Sequence, residues 1–473
     1  MSTIPPNPSS PPSLAHFGSA SSHPSVIKYA RHVNPAFVRL LGALGYGRVF
    51  VRARGTKIWD HEGKEYLDFL AGYGAVNLGH NPPKLIEKLR DALSEDLVNL
   101  VHTGPQIHAG DLAAELVKRA GEPLSVCMFS SSGGEAVESA IKLARAATRR
   151  RGIIYAKHGF HGTGLGSLSI MGNGRMRDAF EPLLPECYEV PFGDLLALEK
   201  ELLEKKIAAF VIEPIQAEAG VVMPPELYLK TAQALCTKHG ALLVLDEVQT
   251  GIGRTGTMFA YQAEGFVPDV LVLGKALGGS LLPISATLCS ADLHGKAFGS
   301  MDKFDLHGST FSGNALGCKV ALATLAIVDE DGLVENARVQ GERLKKGLEE
   351  RLAGHPFVRE IRGRGLLVAL ELGLKEEKGL LGRLMKGVVD TVSKRVFGQW
   401  LSLRLLEKGI LCQPASQQWN VLKLEPPLTV TEAEIDEVVS SIAQILEEYR
   451  DIKSLVFDVG ERLGKQFKGG WGF

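Results

Sequence analysis

Three buried-looking apolar runs each give out at a residue capable of chemistry. Val270-Leu-Val-Leu273 leads through Gly274 to Lys275, Ala241-Leu-Leu-Val-Leu245 leads to Asp246-Glu-Val-Gln249, and Ala208-Ala-Phe-Val-Ile212 leads to Glu213-Pro-Ile-Gln216. Aliphatic runs without alternation suit strands covered on both faces. Their chemical residues are therefore expected at a sheet rim, where α/β proteins bind ligands. Burial lowers the pKa of a lysine amine there and makes it a nucleophile toward aldehydes. Taken alone, a lysine after a strand is an ordinary solvated side chain, so the neighbouring text must decide. A carboxylate directly after a buried run is costly without a partner, which marks Asp246 and Glu213 as residues in want of one.

A second feature is an anion site. After Ser125-Val-Cys-Met-Phe129 comes Ser130-Ser-Ser-Gly-Gly-Glu135, and then Val137, Ala140, Ile141 and Ala144 recur at helical spacing. Ser132 and Glu135 form an S-x-x-E capping-box pattern at the start of that helix. Gly133 and Gly134 leave backbone N–H groups unobstructed at its positive end, for which phosphate is the natural guest. Gly152-Ile-Ile-Tyr-Ala156 runs into Gly159-Phe-His-Gly162, which offers an aromatic ring at Phe160 and an imidazole at His161. Gly251-Ile-Gly-Arg-Thr-Gly256 matches G-x-G-x-x-G, but Asp246-Glu-Val-Gln-Thr250 intervenes after the strand and Asp269 precedes the next one. A nicotinamide site is discounted on that ground.

The elements that position these residues alternate strand with helix, which indicates a parallel sheet with crossover helices. Before them, Val49 to Leu70 reads as a meander turning at Asp60-His-Glu-Gly63, and Ala71 to His80 reads as a pocket-lining loop carrying Tyr73. Lys84–Leu100 and Ala109–Ala120 read as amphipathic helices, and Val358–Leu372 as a strand. With 473 residues and a formal net charge of −1, the chain has ample core and no electrostatic reason to hold nucleic acid or an anionic membrane. Its six cysteines are scattered singly, so reduced thiols are expected rather than disulfides or a metal site. No apolar run nears a membrane span and no charged-then-apolar leader opens the chain, so a cytoplasmic location is expected.

An imine-forming lysine, a carboxylate for a pyridinium nitrogen, a phosphate cradle and a ring to stack on are what pyridoxal phosphate requires. From about Val49 to Tyr449 the sequence resembles the class III aminotransferases of fold type I. The most specific text is Leu245-Asp-Glu-Val-Gln-Thr-Gly-Ile-Gly-Arg-Thr-Gly256, followed by Pro268-Asp269 and Gly274-Lys-Ala-Leu-Gly-Gly279. The resemblance implies an α/β fold: a large domain with a mostly parallel central sheet covered by helices, plus a smaller α+β domain built from both chain ends. It divides the chain into a disordered arm (1–25), the N-terminal part of the small domain (26–80), the large cofactor-binding domain (81–333), the C-terminal small domain (334–450) and an extension (451–473). An inserted amphipathic helix is expected within 375–396.

The same resemblance implies a role for each matching residue. Lys275 would hold the cofactor covalently and then move the proton, and Asp246 would keep the ring nitrogen protonated. Gln249 would lie near the ring O3′, with Phe160 and Val248 sandwiching the ring. Ser132, Gly133 and Gly134 would bind the phosphate, while His161 and Glu213 complete the cofactor-binding set. Thr310, in His307-Gly-Ser-Thr-Phe311, would reach the neighbouring subunit's phosphate, so a homodimer or dimer of dimers is expected. Ser131 and Gly134 depart from the common pattern, a change expected to loosen cofactor retention.

Departures also carry the substrate reading. Relatives acting on ornithine or acetylornithine have an arginine after the aromatic-x-Gly step as a bidentate carboxylate clamp, where this chain has Thr163. A second arginine of those relatives is Lys423 here, in Lys423-Leu-Glu-Pro-Pro-Leu428, with Glu218 as the matching acid. Lysine keeps the charge and loses the fork. Tyr73, Glu218 and Lys423 are thus the expected substrate-binding residues, with Glu218 free to meet a distal ammonium. Phe180-Glu-Pro-Leu-Leu-Pro185 and Leu424-Glu-Pro-Pro-Leu-Thr429 are similar to the putrescine (diamine) aminotransferases. Transfer of a terminal amino group from a diamine to 2-oxoglutarate or pyruvate, by a ping-pong mechanism, is therefore expected. The alternatives are an ω-amino-acid or acetylornithine/ornithine-type donor and, further off, a racemase or aminomutase on the same scaffold.

Overall fold

A computed structural model describes residues 22–101, 103–373, 397–449 and 458. Three strands near the N-terminus form an antiparallel meander: β1 (Phe50–Arg54), β2 (Lys57–Asp60) and β3 (Glu65–Asp68). Seven more form the central sheet: β4 (Val126–Ser130), β5 (Gly152–Ala156), β6 (Cys187–Val190), β7 (Ile207–Ile212), β8 (Leu242–Asp246), β9 (Val270–Leu273) and β10 (Ser285–Cys289). Their order is β4-β10-β9-β8-β7-β5-β6, and only β10 runs antiparallel to its neighbours.

Strands β5, β7, β8 and β9 are buried along their whole length, as continuous apolar text requires. Successive side chains face opposite sides of the sheet. Leu242 and Val244 pack with Val137, Ala140 and Ala144 of the helix Gly133–Thr148. Leu243 and Leu245 pack on the other face with Leu229 and Ala232 of the helix Tyr228–His239. Strand β10 is not revealed by the apolar signal, because Ser285 and Thr287 interrupt it. Both hydroxyls are satisfied inside: Ser285 Oγ donates to the Ser132 carbonyl at 2.7 Å and Thr287 Oγ1 to that of Ala136 at 2.9 Å. They tie the strand to the start of the helix Gly133–Thr148.

The C-terminal part contributes β11 (Val358–Arg364), β12 (Leu367–Leu372), β13 (Ile410–Leu411), β14 (Gln413–Ala415) and β15 (Gln418–Leu424). A four-stranded sheet has the order β11-β12-β15-β14, while β13 joins the N-terminal sheet by pairing parallel with β3. Both chain ends thus share one sheet.

Three local expectations change. The text Val358–Leu372 is a hairpin, not one strand, reversing through Gly365 at φ 57°. A side chain there would also meet the Thr255 carbonyl carbon at 2.4 Å, so glycine is required twice over. The helix expected over Lys84–Leu100 runs only Pro83–Ser94. The helix Pro24–His32 begins inside the stretch read as an arm. The expected insertion at 375–396 lies outside the described residues, as does the tail 451–473 apart from Asp458. Among the described residues no helix is long and apolar enough to cross a membrane.

The glycine-rich text 251–256 turns out to join the sheets. Arg254 is fully buried, with Nη1 donating to the Leu366 and Pro426 carbonyls at 3.0 and 2.5 Å and Nη2 to Asn77 Oδ1 at 2.5 Å. Burial brings its pKa down to about 10, partly offset by Glu425 and Asp68. The guanidinium thereby fastens the rim of the central sheet to the C-terminal sheet and to the loop before the helix Pro83–Ser94. That docking builds one wall of the cleft described next.

Candidate active site

Lys275 opens a tight turn, Lys275–Gly278, directly after β9. Its φ of 43° is a left-handed conformation uncommon for a side chain of this kind, the sort of local strain that gathers at functional sites. Nζ donates to Gln249 Oε1. Burial draws the pKa of the amine below the usual lysine range, while Glu425 and Glu218 hold it up.

Asp246 ends β8, one strand over. Its Oδ2 meets His161 Nδ1 at 2.8 Å, both side chains being buried, and its Oδ1 accepts from the Val248 amide at 3.1 Å. The partner that the sequence argument asked for is therefore an imidazole. Glu213, at the end of β7, is held well above the usual carboxylate range by burial and then by the charges of Asp246 and Glu218. Glu213 Oε2 and His161 Nε2 are buried without a hydrogen-bond partner among the described residues. Glu247, by contrast, points away into structure: it accepts from the amides of Ala260 (2.7 Å) and Tyr261 (2.9 Å) and from Thr250 Oγ1 (3.0 Å).

The helix Gly133–Thr148 begins beside these groups. Ser132 caps it by accepting from the Glu135 amide at 3.3 Å, but the Glu135 carboxylate accepts from Ser131 N at 2.7 Å rather than from Ser132. One arm of the expected capping box has moved back a residue. A Cβ on Gly133 would lie 2.8 Å from Val248 Cγ1, and one on Gly162 would lie 2.8 Å from Gly134 Cα. The glycines thus let three chain segments converge: the helix start, the Val248 turn after β8 and the Gly159–Gly162 loop carrying Phe160.

On the far side, Lys423 of β15 is buried and paired with Glu218, Nζ to Oε1 at 2.5 Å, with Glu425 Oε2 at 3.7 Å. Burial alone would raise the Glu218 pKa, but Lys423 overrides it and holds the carboxyl at about 2. Tyr73 sits beside them on a kinked turn at φ 58°, its hydroxyl donating to Gln413 Oε1 at 2.7 Å and its ring 5.3 Å from Lys423 Nζ. The Glu218 expectation therefore changes in one respect: that carboxylate already has an ammonium, the one on Lys423. Thr163 is exposed, and Thr310 lies in an exposed stretch with no hydrogen bond to this cluster among the described residues.

The pair supports a stability prediction. Lys423→Ala leaves Glu218 buried without its cation and is expected to lower unfolding free energy by about 3–5 kcal/mol, measured by urea denaturation at pH 7. Because the folded Glu218 pKa is depressed, its contribution is full above the ordinary carboxylate range and fades as pH falls from about 4 toward 2. The variant should therefore lose most of its deficit at the acid end of that window.

Two contributors escaped the sequence reading. Glu425 is fully buried, and its carboxylate accepts from Gln249 Nε2 at 3.0 and 3.2 Å. It carries the signal that marked Asp246 and Glu213, an acid directly after an apolar strand end. Gln413 gave no such signal, since only the return of β14 brings it to Tyr73.

The sequence model of the family "Aminotransferase class-III" matches residues 44–446. The chain is 38% identical to Aminotransferase PigE of Serratia sp. over 89% of its own length and spans only about half (53%) of that protein. It is 37% identical to Putrescine aminotransferase of Pectobacterium atrosepticum, covering 89% of this chain and 87% of that one. Among solved structures it is similar to ornithine aminotransferase from Toxoplasma gondii, with a TM-score of 0.76, 31% identity and coverage of 85% and 92%. Acetylornithine aminotransferase from Elizabethkingia anophelis gives 0.69, 32%, 85% and 94%. A rim lysine, a buried carboxylate and a glycine-opened helix on such a sheet are thus no coincidence of local text: the chain belongs to the class-III aminotransferases, enzymes dependent on pyridoxal phosphate.

Proposed function

We propose that this aminotransferase takes a terminal amino group from a diamine or other ω-amine and delivers it to a 2-oxo acid such as 2-oxoglutarate or pyruvate, in two half-reactions. The residues on hand fit the cofactor. The glycine-cleared helix start at Ser132, Gly133 and Gly134 suits the phosphate, and Phe160 and Val248 supply faces for the ring. The chemistry contributed by bound pyridoxal phosphate is covalent capture of the amine and electron withdrawal from the carbon that loses its proton.

Lys275 Nζ, whose pKa burial draws down, would be the nucleophile that anchors the cofactor and the base that moves the proton from the donor carbon. Asp246, fixed by His161 and the Val248 amide, holds a proton at the ring nitrogen. Burial and the charges of Asp246 and Glu218 push the Glu213 pKa up, which disfavours a second negative charge there. Gln249 aligns Lys275 Nζ and would lie near the ring oxygen of the bound cofactor. The active unit is a homodimer in this reading, with Thr310 reaching across it. Exposed Met301, Phe304, Leu306 and Phe311 around that segment support such a contact.

One observation carries the donor assignment. Lys423, at the position where ornithine-acting relatives carry arginine, is already engaged by Glu218 and Glu425, and Thr163 offers no charge. An α-carboxylate finds no fork to bind, because the one cation at that position is already paired with Glu218. The putrescine aminotransferase relative supports the same donor. The similarity to ornithine and acetylornithine aminotransferases favours a second reading, in which the ω-amine belongs to an amino acid.

Adding putrescine to the purified yellow enzyme without any oxo acid is expected to bleach the visible band, and 2-oxoglutarate or pyruvate to restore it. A band that ignores putrescine and cadaverine but bleaches with ornithine would transfer the assignment to the second reading.

A further inference from the structure

Glu425 has a place in the site that the roles above do not use. It follows β15, its amide donates to the Phe69 carbonyl at 2.9 Å, and its side chain is fully buried. Both its oxygens accept from Gln249 Nε2, at 3.0 and 3.2 Å, while Gln249 Oε1 accepts from Lys275 Nζ. The orientation of that amide is forced by charge. Reversed, it would set oxygen against carboxylate and N–H against ammonium. The kinked turn closes over the arrangement: a Cβ on Gly74 would lie 2.7 Å from Glu425 Oε1 and 3.3 Å from Gln249 Cγ.

The surrounding charges divide unevenly. Lys275 is faced by Glu218 from the loop after β7, Asp246 from β8, and Lys423 and Glu425 from the end of β15. Glu425 is faced in turn by Lys423, by Arg254 and by Tyr73. Lys423 lies 2.5 Å from Glu218 but 3.7 Å from Glu425, so its closer partner is Glu218. The direct hydrogen-bond path from Glu425 to an ammonium runs through Gln249 to Lys275.

We propose that Glu425 is a positioning residue for the reaction: a buried counter-charge that acts through the Gln249 amide to keep a proton on the Lys275 nitrogen. The proposal rests on Lys275 being the amine that carries the cofactor. A nearby negative charge favours the protonated form of that nitrogen whether it is free or covalently engaged. Removing the charge while keeping the hydrogen bond must therefore release the proton at lower pH.

Glu425→Gln does this, since its amide oxygen still accepts from Gln249. The measurement is the pH midpoint of the visible band of the cofactor-bound enzyme without substrate, which reports the proton on the Lys275 nitrogen. The midpoint is expected to fall by about one pH unit or more in E425Q. It should return toward the wild-type value in E425D, and fall in Gln249→Leu with no further drop in the double variant. An unchanged midpoint in E425Q, with a raised KM for putrescine and an intact kcat, would make Glu425 a donor contact and overturn the proposal. An unchanged midpoint with lowered thermal stability alone would reduce it to a structural residue. Should E425Q not retain cofactor, Gln249→Leu is decisive by itself, because it breaks the path from Glu425 to Lys275 and an unchanged midpoint there refutes the relay. A covalently held yellow band surviving in Lys275→Ala would instead sink the underlying assignment of Lys275.

Discussion

Lys275→Ala is expected to reduce kcat by roughly 10⁴-fold or more, because one amine serves as both nucleophile and base and no neighbouring group can replace it. The amine lies at the end of β9, within hydrogen-bond reach of Gln249 and under the influence of Glu425, Glu218 and Asp246. Lys423 has the same chemistry but is held by Glu218 at 2.5 Å. The fold should tolerate the change. Alanine and lysine share the same Cβ, so the left-handed backbone at φ 43° is no more strained with one than with the other. The apolar residues of β9 remain in place as well. Urea midpoints close to wild type, with loss of the covalent yellow band and of turnover, would separate a chemical from a structural effect. Retention of more than about 1% of wild-type kcat would mean that another base operates.

The second large effect belongs to Asp246. Asp246→Asn keeps volume and one of the two acceptor oxygens that Asp246 turns to His161 and to the Val248 amide, but it removes the charge that would hold a proton on the ring nitrogen. A fixed charge in a water-poor site commonly supplies several kcal/mol to the developing carbanion, so kcat is expected to drop by roughly 10²–10³-fold. Cofactor should still bind, because Lys275 and the helix start Gly133–Thr148 are untouched. Rapid-mixing spectra are the check: slow bleaching by putrescine with an intact starting band supports the role, while a normal bleaching rate excludes it.

Much of this site is written locally. A strand that is buried on both faces needs an unbroken apolar run, so its end can be read from the text, and Lys275, Asp246 and Glu213 follow such ends. The helix start at Ser132–Gly134 is similarly legible, because capping and helical spacing are properties of neighbouring residues. Strand β10 was hidden for the opposite reason. Its buried hydroxyls are tolerated only because Ser132 and Ala136 carbonyls stand opposite, a contact made across more than 150 residues of chain. The hairpin at Gly365 was missed because the close approach of Thr255, from the loop after β8, is what demands glycine there.

By itself, then, the sequence determined the buried parallel strands that carry the site, the rim lysine and carboxylate, and the glycine-opened helix, since each follows from the hydrophobic period and from residues within a turn of one another. Only the tertiary structure decided which acid each cation faces. Arg254 docks the C-terminal sheet against the central one, and that docking brings Lys423 onto Glu218 and Glu425 onto Gln249. Interactions between charges depend on separations of a few ångströms and on how completely water is removed. Neither quantity can be read from the spacing of residues that lie 205 and 176 positions apart along the chain.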